Sequence, residues 1–194
     1  MNKIILHACC APCASYPIQK LLKEGIEPVV FFYNPNIFPF SEYEIRRKEL
    51  ENYCLNLNIK YLEEKYEIKE FYKATKGLEQ EKEKGKRCKK CFYLRLYKTA
   101  QIAKKLNIAK FTTTLSVSPH KDSNQIFEVG KKIQKETGIE FLEYNFKKQE
   151  GFKISRQIAK ENNMYFQQYC GCEFSIKKTP WINQGVLIIT NFNQ

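Results

Sequence analysis

The chain has 194 residues, enough for one domain with a substantial core, and its apolar fraction of 43% is that of an ordinary globular protein. No run approaches the ~18 apolar residues of a membrane span, and the short apolar run near the N-terminus is too brief for a secretory leader, so a soluble cytoplasmic protein with no membrane partner is expected. Lys and Arg outnumber Asp and Glu by 33 to 21, a formal net charge of +12, which points to a polyanionic partner gathered through counterion release.

Lys3–Ala8 reads as the first strand. It leads into His7-Ala8-Cys9-Cys10-Ala11-Pro12-Cys13, three thiols in the turn before a helix over 11–24, with Pro12 near its start and Gly25 as the cap beyond its end. In an open α/β sheet that turn lies at the carboxyl end of the strand, where such folds bind ligands. Neighbouring side chains of a regular strand alternate sides. In a turn, Cys9 and Cys10 are free to diverge toward two nearby centres. Pro28–Tyr33 is a continuous apolar run, as in a parallel strand buried on both faces, and it ends in the Asn34–Pro39 loop. Ser41-x-x-Glu44 has the form of a capping box opening a helix to about Leu57.

Ile59–Leu62 reads as a short strand and Ile68–Thr75 as a weaker helix. Lys76–Arg87 is the most charged stretch and reads as a mobile surface loop. From Cys88 a helix runs to about Leu106, its Leu96, Ala100, Ala103 and Leu106 recurring at three and four. Cys88 and Cys91 then share one face near a helix N-terminus, where the dipole favours thiolate. Phe111–Leu115 is a strand ending in the Ser116–Asp122 loop. Asp122 with Gln125 can cap a helix that Gly138 stops, Ile139–Tyr144 is a fifth strand, and 151–163 is an amphipathic helix. Tyr165–Cys172 is a polar-aromatic loop with two thiols. The tail holds Trp181 and a possible strand, Val186–Thr190. The alternation argues for one α/β domain over 1–175, a mostly parallel sheet with helices on both faces. The tail, 176–194, packs on that domain or extends it. The loops after the strands can share one crevice.

Eight Cys in a cytosolic chain do not suggest a disulfide framework. Seven fall in three groups: Cys9, Cys10 and Cys13; Cys88 and Cys91; Cys170 and Cys172. Cys54 stands alone in an apolar helical stripe with Leu50 and Leu57 and reads as a small core hydrophobe. Seven thiols are too many for one structural zinc. They divide naturally into four for a [4Fe–4S] cluster and three for a second metal with an open position, although two zinc ions also fit the count. The chain has no Gly-rich phosphate loop. Cys-Cys-Ala-Pro-Cys stands where an ATP-pyrophosphatase would carry Ser-Gly-Gly-x-Asp-Ser. This weighs against an ATP-dependent tRNA-thiolating enzyme of the same fold. A zinc-stabilised RNA-binding module is a further alternative, which bound iron would exclude.

Taken together, His7–Cys13, Phe32-Tyr-Asn-Pro-Asn-Ile37, Glu42-Tyr-x-x-Arg46, Arg87-Cys-x-x-Cys-Phe92, Thr113–His120 and Gln168-Tyr-Cys-Gly-Cys172 resemble the epoxyqueuosine reductases of the QueH type, over about residues 3–175. The resemblance implies a fold like the adenine-nucleotide α-hydrolases and a non-cobalamin metalloenzyme. Its cofactors would be an iron–sulfur cluster and a separate mononuclear iron. Its reaction would be the two-electron removal of the epoxide oxygen of epoxyqueuosine at the tRNA wobble position. Its partners would be tRNA containing epoxyqueuosine and an unidentified electron donor. Some members of the family have Asp where this chain has Cys13, which suits a ligand of the single iron. Cys9, Cys10, Cys88, Cys91, Cys170 and Cys172 are candidate cofactor ligands, with Cys13 a further metal ligand. Tyr33, His120, Tyr169 and His7 are candidate proton donors by position.

Overall fold

Strand β1 (Asn2–His7) carries Ile4, Ile5 and Leu6 with no exposure at all, and β2 (Ile26–Phe32) carries Val29 to Phe32 equally deep. Runs of this kind arise when both faces of a strand are covered, and they alternate in destination. Ile4, Leu6, Val30 and Phe32 enter one core with helices α1 (Ala11–Lys23), α2 (Phe40–Asn56) and α6 (Gly151–Glu161). Ile5, Val29 and Phe31 enter a second core with α4 (Lys86–Lys105) and α5 (Ser123–Thr137). The computed structural model describes residues 2–176. Trp181, the possible strand Val186–Thr190 and almost all of the expected tail lie outside the described residues.

The remaining strands are short: β3 (Tyr61–Glu63), β4 (Lys110–Thr113) and β5 (Glu140–Phe141). The sheet order is β3-β2-β1-β4-β5 and every pairing is parallel, so the α/β class and the parallel sheet expected from the sequence are found. Chain order reverses between β1 and β4, and in such sheets the crevice at the carboxyl ends of the reversing strands is the ligand site. The β1–α1 turn opens there. Helix α3 (Ile68–Thr75) lies beside α4, and Phe71 from α3 forms a small third core with Cys91 and Cys172. No described helix is long and apolar enough to cross a membrane.

Several local expectations are corrected. α2 starts at Phe40 with Pro39 as its N-cap and no side-chain cap, so Ser41 is not the opening of a capping box. Glu44 instead accepts from Arg47 Nε at 2.9 Å and cannot reach back. β4 ends at Thr113 rather than Leu115, because the Thr113 hydroxyl accepts from Leu115 N and starts a 3₁₀ turn over Thr114–Val117. β5 stops at Phe141. Beyond it, the Leu142 and Tyr144 carbonyls accept from the hydroxyls of Thr112 and Ser116 at 2.8 and 2.6 Å. Asp122 caps α5 as expected through Asn124 N, but Gln125 donates to the Lys84 carbonyl instead of closing the cap. The charged stretch before α4 is not a free loop. The buried Arg87 donates to the carbonyls of Leu78, Glu79 and Glu81 and wraps that stretch around itself.

Candidate metal centre

Past β1 the chain stays in the sheet for one more bond, Ala8 N to Phe31 O, and then turns under the Asn34 amide, which donates to the Ala8 carbonyl at 2.9 Å. Cys10 is the extended N-cap of α1, with Pro12 just inside the helix. Cys13 follows in the first turn. The Sγ atoms of Cys9, Cys10 and Cys13 all lie within 4.8 Å of one another. Cys9 and Cys10 therefore do not diverge toward two centres; the extended cap residue swings the second thiol back beside the first, and the three face one point. The Cys9–Cys10 separation is 3.8 Å. Thiolates about 2.3 Å from a tetrahedral metal stand roughly 3.8 Å apart, so the spacing suits a single ion. Three ligands would leave a fourth position of such an ion open.

The surroundings favour one negative charge on this trio, carried by Cys9, with the Cys13 thiol pushed up to about 12. The three sulfurs sit at a helix N-terminus whose first turn holds no acidic residue. Hydrogen bonds from Cys10 and Cys13 hold the Cys9 thiol well below its ordinary value. Hydrogen bonding to Cys13 and Cys9, reinforced by burial, pushes the Cys10 thiol well up. The trio thus holds one charge around one centre.

A cavity of about 360 Å³ opens over Cys9 and Cys13. Cys88 and Cys91 reach it from the first turns of α4, and Cys170 and Cys172 from the loop after α6. No three of these four sulfurs lie within 4.8 Å of one another. That spread is wider than the thiolate spacing around one tetrahedral ion. Burial pushes the Cys91 thiol up to about 12, the nearby Arg95 acting against it. Cys54 does not line this cavity. It is fully buried in the first core and burial alone pushes it up to about 12, in keeping with a core role.

Two cations missed by sequence reasoning complete the floor. Arg95 is only 2% exposed; it donates to Cys91 O and to Asn34 Oδ1, while its Nη2 is buried with no partner among the described residues. No carboxylate among the described residues meets it. Burial works against its charge, but Cys91 and Cys170 outweigh that and raise its pKa. Lys121 behaves likewise: burial opposes its charge, and Cys170, Cys9 and Cys13 overcome it. An orphaned guanidinium N–H beside thiols is what an anionic thiolate-bound group would satisfy. The available signal was positional, since Arg95 stands four residues after Cys91 on the helix face that also carries Leu96, Ala100 and Ala103.

The expected proton donors separate. His120 and Tyr169 line the cavity, and His120 is exposed at its mouth. The Tyr169 hydroxyl is engaged, donating to the Phe38 carbonyl. Tyr33 does not line the cavity; its ring stacks on Phe31 under Lys98, in the second core. His7 is fully buried beneath the turn, between Thr113 Oγ1 at 2.9 Å and Tyr33 O at 3.3 Å.

A family profile described as "Epoxyqueuosine reductase QueH" matches residues 4–178. Curated relatives with that name include one from Haemophilus influenzae, 37% identical over 91% of this chain and 72% of its own. Another is from Thermotoga maritima, 37% identical over 91% of both chains. Among solved structures, a predicted subunit of a tRNA methyltransferase from Methanocaldococcus jannaschii superposes with a TM-score of 0.55. It shares 17% identity over 81% of this chain and 75% of its own, a likeness of fold alone.

Proposed function

The chain belongs to the epoxyqueuosine reductase QueH family, and from that premise we propose that its thiols divide into a three-cysteine iron site and a four-cysteine [4Fe–4S] site facing one substrate cavity. The chain is an oxidoreductase of tRNA modification that reduces epoxyqueuosine to queuosine. Cys9, Cys10 and Cys13 would hold the single iron, and Cys88, Cys91, Cys170 and Cys172 the cluster. The observation that carries this division is the contrast in spacing between the tight triad and the open foursome. When bound, the metals would supply a Lewis acid for the epoxide oxygen and a route for electrons, one at a time.

The reaction consumes two electrons and two protons and releases the epoxide oxygen as water. The electrons come from an external donor, and the substrate is epoxyqueuosine-containing tRNA. The chain's own part is to place the substrate, balance charge and deliver protons. Arg95 and Lys121 offset the charge of the thiolates in the low-dielectric floor. His120 stands at the mouth, where a proton can be collected from solvent and passed inward. Its ring makes no hydrogen bond to other described residues, unlike the Tyr169 hydroxyl. His120→Gln is expected to lower kcat tenfold or more with metal content unchanged, on the scale of losing a general acid.

The deciding experiment is anaerobic purification with iron and acid-labile sulfide analysis, followed by turnover of epoxyqueuosine-containing tRNA. About five irons per chain, four of them with sulfide, are expected. Cys13→Ala should keep the cluster spectrum but lose one iron and most turnover, and Cys13→Asp should keep the cluster and part of the activity. Zinc alone without sulfide overturns the cofactor assignment. Loss of the cluster in Cys13→Ala overturns the division of thiols.

A further inference from the structure

We propose that Gln167 is a positioning residue of the metal centre, whose side-chain amide sets how strongly the cysteine triad donates electrons to its metal. The inference rests on the reading of the triad as metal ligands. Gln167 lies in the loop after α6, and its Nε2 donates to Cys10 Sγ at 3.1 Å and to Cys13 Sγ at 3.6 Å. Its Oε1 is buried and meets no donor among the described residues. A primary amide has two donors and two acceptor sites. Here the acceptor end is left unpaired at a cost while the donor end meets two sulfurs, so it is the donor end that the site uses.

The loop is held on both sides of Gln167, and the anchors come from one helix. On one side, Tyr165 N donates to the Glu49 carboxylate and Tyr165 Oη donates to Glu42 Oε2 at 2.7 Å. On the other, Arg46 donates to the carbonyls of Tyr169 and Cys170 at 3.1 and 3.3 Å. Glu42, Arg46 and Glu49 all belong to α2. The Glu42–Arg46 pair, 2.7 Å apart, is itself buried. Gln167 is thus suspended over the first turn of α1 between two fixed points. An N–H bond to a thiolate stabilises the sulfur lone pairs and draws density away from the metal. A metal held by the triad would become a stronger Lewis acid and easier to reduce.

The test uses the full chain, prepared anaerobically without metal and titrated with cobalt(II). Its thiolate-to-metal charge-transfer absorption reports the energy of the sulfur donors. The absorption belonging to the triad is identified by its loss or change in Cys13→Ala. Gln167→Leu removes both donors, and its triad band is expected to move to longer wavelength. Gln167→Glu keeps the shape but turns an acceptor with negative charge toward the sulfurs, and its cobalt affinity is expected to fall tenfold or more. Circular dichroism checks each fold. Should the Leu variant not fold, the near-isosteric Glu variant carries the test. Bands and affinities identical to the wild type in the folded variants overturn the inference while leaving the triad as ligands. A wild-type chain with no cobalt–thiolate absorption overturns the metal reading and this inference with it.

Discussion

His7 shows how much chemistry a single position decides. It stands directly before the cysteine turn, yet its ring has no exposure and faces Thr113 Oγ1 and the Tyr33 carbonyl. A carbonyl only accepts, so Nε2 carries the proton and Nδ1 accepts from the Thr113 hydroxyl. That hydroxyl in turn accepts from Leu115 N. Burial, and then Arg95, lower its pKa from 6.5 to about 3, against smaller opposite pulls from Cys9 and the Tyr33 carbonyl. His7 is therefore a neutral strut and not an acid at work near neutral pH. The unfolded chain binds a proton here near pH 6.5 and the folded chain does not, so stability is full above about 6.5 and falls as pH drops toward 3. The slope approaches ~1.4 kcal/mol per pH unit, or roughly 2 kcal/mol lost by pH 5. Urea unfolding at pH 7.5, 6 and 5 should show this loss, and His7→Gln should flatten it relative to the wild type. Cys54 gives the complementary case: with its thiol buried among Leu50, Tyr53 and their neighbours, Cys54→Ala should cost about 1 kcal/mol in the same assay and leave iron content unchanged.

Among the elements, α2 carries more than its polar sequence announces. Arg46 is 1% exposed, and its guanidinium joins Glu42 to the carbonyls of the Tyr169–Cys170 segment while lying over the Tyr169 ring. Arg46→Met strands the buried Glu42 carboxylate and frees both carbonyls. About 3 kcal/mol of stability should be lost, and the iron proposed to bind through Cys170 and Cys172 should fall with it, as iron analysis of the folded variant can show. In the sequence Arg46 falls on the helical stripe of Tyr43, Leu50 and Tyr53 while Arg47 falls among Glu44 and Glu51, but that spacing does not say what the buried guanidinium meets. β1 and β2, by contrast, were legible because burial on both faces leaves unbroken apolar runs. The thiol groups were legible because Cys is scarce elsewhere. What failed were features settled by distant partners. Glu44 abandoned the capping box for Arg47, β5 lost its carbonyls to Thr112 and Ser116, and Tyr33 was drawn into the second core. The convergence of Arg95, Lys121 and Gln167 on the thiols needed the crossovers of the sheet to bring residues from α4, the β4–α5 loop and the segment after α6 together. No spacing rule encodes that.

At the scale of the whole molecule, the cavity and the surface divide the work of recognition. A volume of about 360 Å³ is that of a small-molecule site. It can take the substituent of one modified nucleoside, not a folded RNA, so the remainder of a tRNA must rest on the outside. The formal charge of +12 supplies that outer attraction. With the proposed seven thiolates, [4Fe–4S]²⁺ core and Fe²⁺ included, the balance would stay near +9, so the proposed metals would not remove it. At the mouth, Arg156 lies over the rings of Phe166 and Phe152, at 4.7 and 6.0 Å, and has no carboxylate partner among the described residues. A guanidinium resting over aromatic rings and without a carboxylate partner keeps N–H groups available to a phosphate. Binding of an anticodon stem-loop should therefore weaken roughly ten- to a hundredfold between 50 and 200 mM salt, as for about three phosphate contacts. Arg156→Gln should lower affinity and reduce the slope of log Kd against log salt by about one, with kcat at saturation preserved because the substitution leaves the thiols and the cavity floor intact. Fluorescence anisotropy across a salt series measures both quantities. A wild-type affinity indifferent to salt would place the recognition inside the cavity alone, and an unchanged slope in Arg156→Gln would move the phosphate contact to another part of the mouth.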